Sequence, residues 1–125
     1  WVSCAMKHLV GNRVLYLVCV WETGELAACL PVTWGLERVH GLTVRSIRVL
    51  GEGLADYMPL LVAGEDGAIR EVLLDALAMG PRSWDVVILS ELSEQADERS
   101  AIEQWGRGRR LKLHWRPCTR APILE

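Results

Sequence analysis

The stretch Arg45-Ser46-Ile47-Arg48-Val49-Leu50-Gly51-Glu52-Gly53-Leu54-Ala55-Asp56-Tyr57-Met58-Pro59-Leu60-Leu61-Val62-Ala63 decides the fold. Its first part, with Val44, reads as a strand. Gly51-Glu52-Gly53 breaks that strand, and a helical pattern begins near Ala68. In an α/β fold, a strand-loop-helix corner of this kind is where phosphate sits, because the free amides of a helix N-terminus point at an anion. This corner carries Glu52, Asp56, Glu65 and Asp66 and no basic residue between Gly51 and Gly67. The local field therefore opposes a pyrophosphate.

Upstream, Arg13 to Trp21 is apolar on both alternating sets of positions, the pattern of a strand covered on both faces. Glu22-Thr23-Gly24-Glu25 reads as a tight turn with Gly24 at positive φ, and Leu26 to Val32 as the returning strand of a hairpin. Pro31 has no amide to donate, so it is expected to end the pairing or to lie on an edge. Trp34 to Leu42, with Gly35 and Gly41, reads as a loop. Downstream, Ile69, Val72, Leu73, Ala76 and Leu77 form one apolar helical stripe, with Asp66 as N-cap and Gly80-Pro81 as the stop. Trp84 to Leu89 reads as a central parallel strand. A second helix follows, capped by Ser93, carrying Ala101, Ile102 and Trp105 on one side and ended by Gly106. Leu111 to Trp115 reads as a strand and Ala121 to Leu124 as another. The result is an α/β fold: an antiparallel hairpin and meander followed by β-α-β-α-β, with helices packed on a mixed sheet.

The chain of 125 residues fits a single domain spanning 1–125, long enough to bury roughly two thirds of its unfolded surface. Half of its residues are hydrophobic, which excludes a disordered chain. No apolar run approaches the roughly 18 residues of a membrane span, and no secretory leader is visible. The expected setting is cytoplasmic. The chain begins at Trp1 and reads as a piece of a longer polypeptide.

The net charge of −2 is unevenly spread: residues 51–104 hold twelve acids and three bases, residues 105–125 six bases and one acid. That is either local surface bias or a pair of complementary patches for docking or self-association. Cys4, Cys19, Cys29 and Cys118 form no C-x-x-C pair and read as reduced thiols, three of them in apolar runs.

His8, His40 and His114 lack zinc spacing, and no G-x-S-x-G elbow is present. Gly51-Glu52-Gly53 and Gly106-Arg107-Gly108 lack the spacing of a nucleotide fingerprint. The arginines after Gly106 match the negative end of a helix. Trp105, Arg107, Arg109, Arg110, Lys112, His114, Trp115 and Arg116 mix basic and aromatic groups, as a single-strand binder would. The sequence pI near 5.9 weighs against nucleic acid as a partner. Asp56-Tyr57 reads either as a substrate-orienting carboxylate and phenol or as a turn cap beside a half-buried ring.

The hairpin with Gly24, Leu30-Pro31, Arg48-Val49-Leu50-Gly51, Ala55-Asp56-Tyr57, Leu60-Leu61-Val62, Leu73-Leu74-x-Ala76-Leu77, Trp84-Asp85-Val86 and Pro117-Cys118 through Pro122 occur in one order. In that order they resemble the first half of bacterial GNAT-like acyltransferases assigned to cellulose biosynthesis. The likeness spans nearly the whole chain. It implies two tandem GNAT-type lobes, as in peptidoglycan-bridge aminoacyl transferases, with acyl-CoA held by the second lobe and the acceptor cleft shaped by the first. In the GNAT core the coenzyme pyrophosphate meets a Q/R-x-x-G-x-G/A loop after the fourth strand. The corresponding stretch here, Gly51 to Gly67, lacks that motif and is acidic.

The expectation is therefore an acceptor-binding lobe that binds no cofactor itself, serving an enzyme that uses acetyl-CoA or another acyl-CoA. Its partners would be the second lobe and an acceptor that is a small molecule or glycan, with Asp56 and Tyr57 as cleft residues and no catalytic residue assigned. A sheet face left without that lobe would favour homodimers. The rival reading is a stand-alone binding or assembly module without a reaction.

Overall fold

A computed structural model describes residues 11–50, 61–62, 67–80, 82–90, 92 and 97–117. It is a mixed α/β fold. The elements are β1 (Val14–Glu22), β2 (Glu25–Val39), β3 (Leu42–Val49), β4 (Leu61–Val62), α1 (Gly67–Met79), β5 (Val86–Ile88) and α2 (Asp97–Gly108). Among the described residues the sheet order is β1-β2-β3-β5, with β4 also paired to β2. β1, β2 and β3 form an antiparallel meander, and β5 runs parallel to β3.

Both hairpins close through two-residue turns. Thr23 and Gly24 have φ of 50° and 86°, and His40 and Gly41 have 49° and 84°. Two consecutive positive φ values match the right-handed twist of the flanking strands. The second turn corrects the reading of Trp34 to Leu42 as a loop. β2 continues through Gly35 to Val39, and each residue from Val32 on pairs with β3. Gly35 is not a chain break: a Cβ there would lie 2.8 Å from Cγ of Arg13, whose side chain crosses the strand at that point.

Pro31 also sits differently from expectation, inside the long strand and paired with Leu17. Its carbonyl accepts from the Leu50 amide at 2.9 Å, so the ladder bond it cannot donate lies on the β3 side. There β3 ends at Val49, and β4 takes over along the same edge of β2, opposite Cys29 and Ala28. Pro31 thus occupies the seam between two short strands.

One face of the sheet holds the core. Ala28, Leu30, Val32, Ile47 and Val49 are buried there, and Tyr16, Val18, Val20, Trp34 and Val87 pack against them. Ile69, Leu73, Leu74 and Leu77 of α1 and Ile102 and Trp105 of α2 cover this face. Each such buried side chain contributes about 2 kcal/mol. The α1 stripe differs from expectation by one flank: Leu74 is buried and Val72 is 51% exposed. The two residues straddle Leu73 symmetrically, and helical periodicity does not choose between them. On the opposite face, Leu17 and Trp21 are 58% and 65% exposed, so β1 is not covered on both sides.

Three further expectations change. β5 is an edge strand among the described residues, not a central one. Residues 111–117 form no strand; Leu111 and Leu113 instead pack on the core. Gly106 does not end α2, which runs to Gly108. A Cβ at Gly106 would meet Cδ1 of Leu113 at 2.8 Å, so this glycine admits a side chain against the helix. The helix ends instead with Arg110 at φ 57°, Leu111 N donating to Gly106 O at 2.9 Å and Arg110 N to Arg107 O at 3.2 Å. That is a Schellman cap with arginine in the position glycine usually takes. Asp66, Ser93 and Ala121 to Leu124 lie outside the described residues.

Candidate functional site

Asp56 and Tyr57, with Glu52, Glu65 and Asp66, lie outside the described residues. The points where the chain leaves and rejoins the sheet around Asp56 and Tyr57 are described. Leu50 is hydrogen-bonded to Pro31, and Leu61 is opposite Cys29. Both ends of the stretch that bears these two residues are thus held on β2, two residues apart.

The described polar site lies on the sheet face away from α1 and α2. Strand alternation puts Thr33, Gly35 and Glu37 of β2 beside Ser46 and Arg48 of β3, with Thr33 opposite Arg48 and Gly35 opposite Ser46. Arg13, just before β1, lies across them. Its Nε donates to Thr33 Oγ1 at 2.9 Å, and its Nη2 reaches Thr33 O, Ser46 O and Ser46 Oγ at 3.1, 2.9 and 2.9 Å. Thr33 and Ser46 are buried as a result of this cover. Arg48 grips Glu37 with both prongs, Nε to Oε2 at 2.8 Å and Nη2 to Oε1 at 3.1 Å. Arg13 Nη1 approaches the same carboxylate at 3.6 Å.

The hydrogen bonds from Arg48 lower the pKa of Glu37, partial burial opposes them, and Arg13 adds a smaller pull in the same direction as Arg48. Glu37 therefore stays a carboxylate and is a poor proton acceptor. Two guanidiniums around one carboxylate leave a net positive, directional array suited to binding hydroxyl or anionic groups. It supplies neither a nucleophile nor a base.

A second cluster pins the end of the sheet. Asp85 accepts from Arg45 N and Nε at 2.8 and 2.9 Å and from Nη2 at 2.5 Å, and Ser83 Oγ accepts from Nη1 at 2.7 Å. The Arg45 side chain and amide hold the Asp85 carboxyl down at about 2. Trp34 Nε1 donates to Ser83 O at 3.1 Å, and Arg82 lies 5.0 Å above the Trp34 ring. These contacts fix the α1–β5 connection to β2 and β3.

The basic and aromatic residues near the C-terminus are spoken for in part. Trp105 Nε1 and Arg109 Nη2 both reach Asp75 Oδ1, at 2.7 and 2.6 Å, tying α2 to α1. Arg99 lies 4.8 Å above the Trp115 ring. Without a strand at 111–117, Lys112, His114 and Arg116 are not set on one face by pairing. Trp84 is half-buried against the core and donates to Ala78 O at 2.9 Å. Among the described residues no group of three His, Cys, Asp or Glu could hold a metal. No helix among them is long and apolar enough to cross a membrane.

Reading Trp34 to Leu42 as a loop hides the Arg13–Glu37–Arg48 array, because it takes Gly35 and Glu37 out of the sheet. Its signal was present. Thr33, Gly35 and Glu37 alternate with Trp34 and Leu36, and Ser46 and Arg48 alternate with Ile47 and Val49, the period-two pattern of half-covered strands. Comparison of the chain with models of protein families, with curated proteins and with solved structures finds no match.

Proposed function

We propose that this chain is a GNAT-like lobe of an acyl-CoA-dependent N- or O-acyltransferase, one that binds the acceptor and supports a catalytic second lobe. The acceptor is an amine or hydroxyl, in the setting of cytoplasmic polysaccharide (cellulose) biosynthesis. The observation that carries the reading is the passage of the β1-β2-β3 meander into a parallel β3-α1-β5 unit followed by α2. Apart from the two-residue β4 between β3 and α1, that order is similar to the GNAT core from its second strand onward, which supports the reading. Two features support the assisting role. The stretch from Gly51 to Gly67 has four acids and no base where the coenzyme diphosphate would dock. The Arg13–Glu37–Arg48 array offers fixed donors and acceptors of the kind that sugar hydroxyls engage, with no reactive group.

Calorimetric titration of this chain with acetyl-CoA tests the first feature: the reading expects no heat of binding, and tight binding overturns it. Steady-state kinetics of the two-lobed enzyme test the second. Glu37→Gln, and Asp56→Asn with Tyr57→Phe, are each expected to raise the acceptor KM by about tenfold, equivalent to about 1.4 kcal/mol, with kcat little changed. Wild-type constants in both variants would remove the acceptor-binding role.

A further inference from the structure

Cys19 and Cys29 stand directly opposite each other in the β1/β2 ladder, with both thiols free and half-buried and their sulfurs 3.8 Å apart. The type of pair follows from the neighbouring bonds. Leu50 donates to the Pro31 carbonyl on the β3 side, so position 31 makes no ladder bond toward β1. Antiparallel alternation then makes Leu30–Val18 a hydrogen-bonded pair and Cys29–Cys19 a non-hydrogen-bonded one. In such pairs the Cα atoms are about 4.5 Å apart and the side chains closest, within the range a disulfide spans. The thiols share the face away from α1 and α2 with Leu17 and Trp21, both more than half exposed, so a small reagent reaches them without disturbing the core. Cys29 is also the residue opposite Leu61, where the chain rejoins β2.

We propose that Cys19 and Cys29 form a reversible dithiol–disulfide site that exchanges with small-molecule disulfides of the glutathione type. One cysteine thiolate attacks a sulfur of the oxidant, forms a mixed disulfide and releases one glutathione thiolate, which takes up the proton the cysteine gave up. The second cysteine loses its proton and attacks the protein sulfur of the mixed disulfide, and the second glutathione leaves as a thiol. Two protein thiols are oxidised and one glutathione disulfide is reduced to two thiols. Closure brings the sulfurs from 3.8 Å to about 2.05 Å. Burial, and after it the adjacent Cys19 sulfur, push the Cys29 thiol above its ordinary pKa. Exchange therefore quickens as pH rises, because the thiolate is the attacking species.

The test equilibrates the whole folded chain with graded ratios of oxidised to reduced glutathione, alkylates the remaining thiols and maps the peptides. The expected product is an intramolecular Cys19–Cys29 link that forms at the same ratio at low and high protein concentration. Cys19→Ser is expected to lose the link and collect glutathione on Cys29, while Cys4→Ser with Cys118→Ser keeps it. Links running through Cys4 or Cys118, with Cys19 and Cys29 still fully alkylated, would overturn the proposal. So would a pair that stays alkylatable under an excess of oxidant that links the same cysteines in urea. The mapping on the unmodified chain decides the matter even if a variant fails to fold.

Discussion

On the helix-covered face of the sheet, Leu30, Val32 and Ile47 are almost fully buried. On the opposite face, Leu17 and Trp21 of the same sheet stand more than half exposed beside an arginine–carboxylate array. The strands are shared, so the difference comes from what lies over each face. Apolar burial on one side fixes the register, because a one-residue slip would turn every core residue outward. The other side carries charge, thiols and exposed rings, the last only along β1, since Thr33, Ser46 and Leu50 are buried. The apolar core lies on the first face, and the arginine–carboxylate array and the thiol pair on the second.

The sharpest way to break that contrast is a pair of truncations. Leu73→Ala, at a fully buried position of α1, is expected to cost about 3 kcal/mol, read as a lower urea midpoint. Leu17→Ala should stay within about 0.5 kcal/mol. Equal losses would mean that the second face is as deeply covered as the first. Next in size is Gly35→Ala, whose new methyl meets Arg13 along its length, Cγ at 2.8 Å, Nη1 at 3.1 Å and Cζ at 3.3 Å. It is expected to cost about 1 kcal/mol and to be relieved in an Arg13→Ala background. The same change at Gly106 brings a methyl to 2.8 Å from Leu113 Cδ1 and 3.1 Å from its Cδ2 and Cγ, a clash that offsets the helix propensity of about 1 kcal/mol it gains, so the net effect should be small.

Strain relief comes third. Thr23 is a β-branched residue at φ 50°, and Thr23→Asn is expected to raise stability by about 0.5 to 1 kcal/mol, seen as a higher Tm. The smallest effect is on pH. Asp85 titrates near 2, below its ordinary value because of Arg45. A carboxyl depressed on folding adds stability that is complete above its unfolded pKa of about 4 and is lost as pH falls through the folded one. The acid limb of stability should therefore flatten between roughly pH 4 and pH 2 in Asp85→Asn.

The contrast between faces also explains what the sequence disclosed. The first hairpin and α1 were legible from their stops, Gly24 after β1 and Gly80 after α1, and the body of α2 from its apolar stripe alone. Gly35 and Gly106 misled for one shared reason. Glycine reads as a break, yet at both places its missing side chain makes room for another residue, Arg13 in one case and Leu113 in the other. Leu111 to Trp115 alternates like a strand but packs against α2, and alternation alone does not distinguish the two. The arginine–carboxylate array was hidden also because Arg13 meets Glu37 and Ser46 only through tertiary contact, across separations of 24 and 33 residues.

The two-residue turns at Thr23-Gly24 and His40-Gly41 carry a kinetic corollary. They let β1, β2 and β3 zip together through near-neighbour contacts, on the microsecond scale typical of hairpins. β5 has to wait for the whole α1 crossover before its parallel partner is within reach. Mutations in the meander are thus expected to slow refolding, and those in β5 mainly to hasten unfolding, so that the face bearing the arginine–carboxylate array is assembled before the core behind it is sealed.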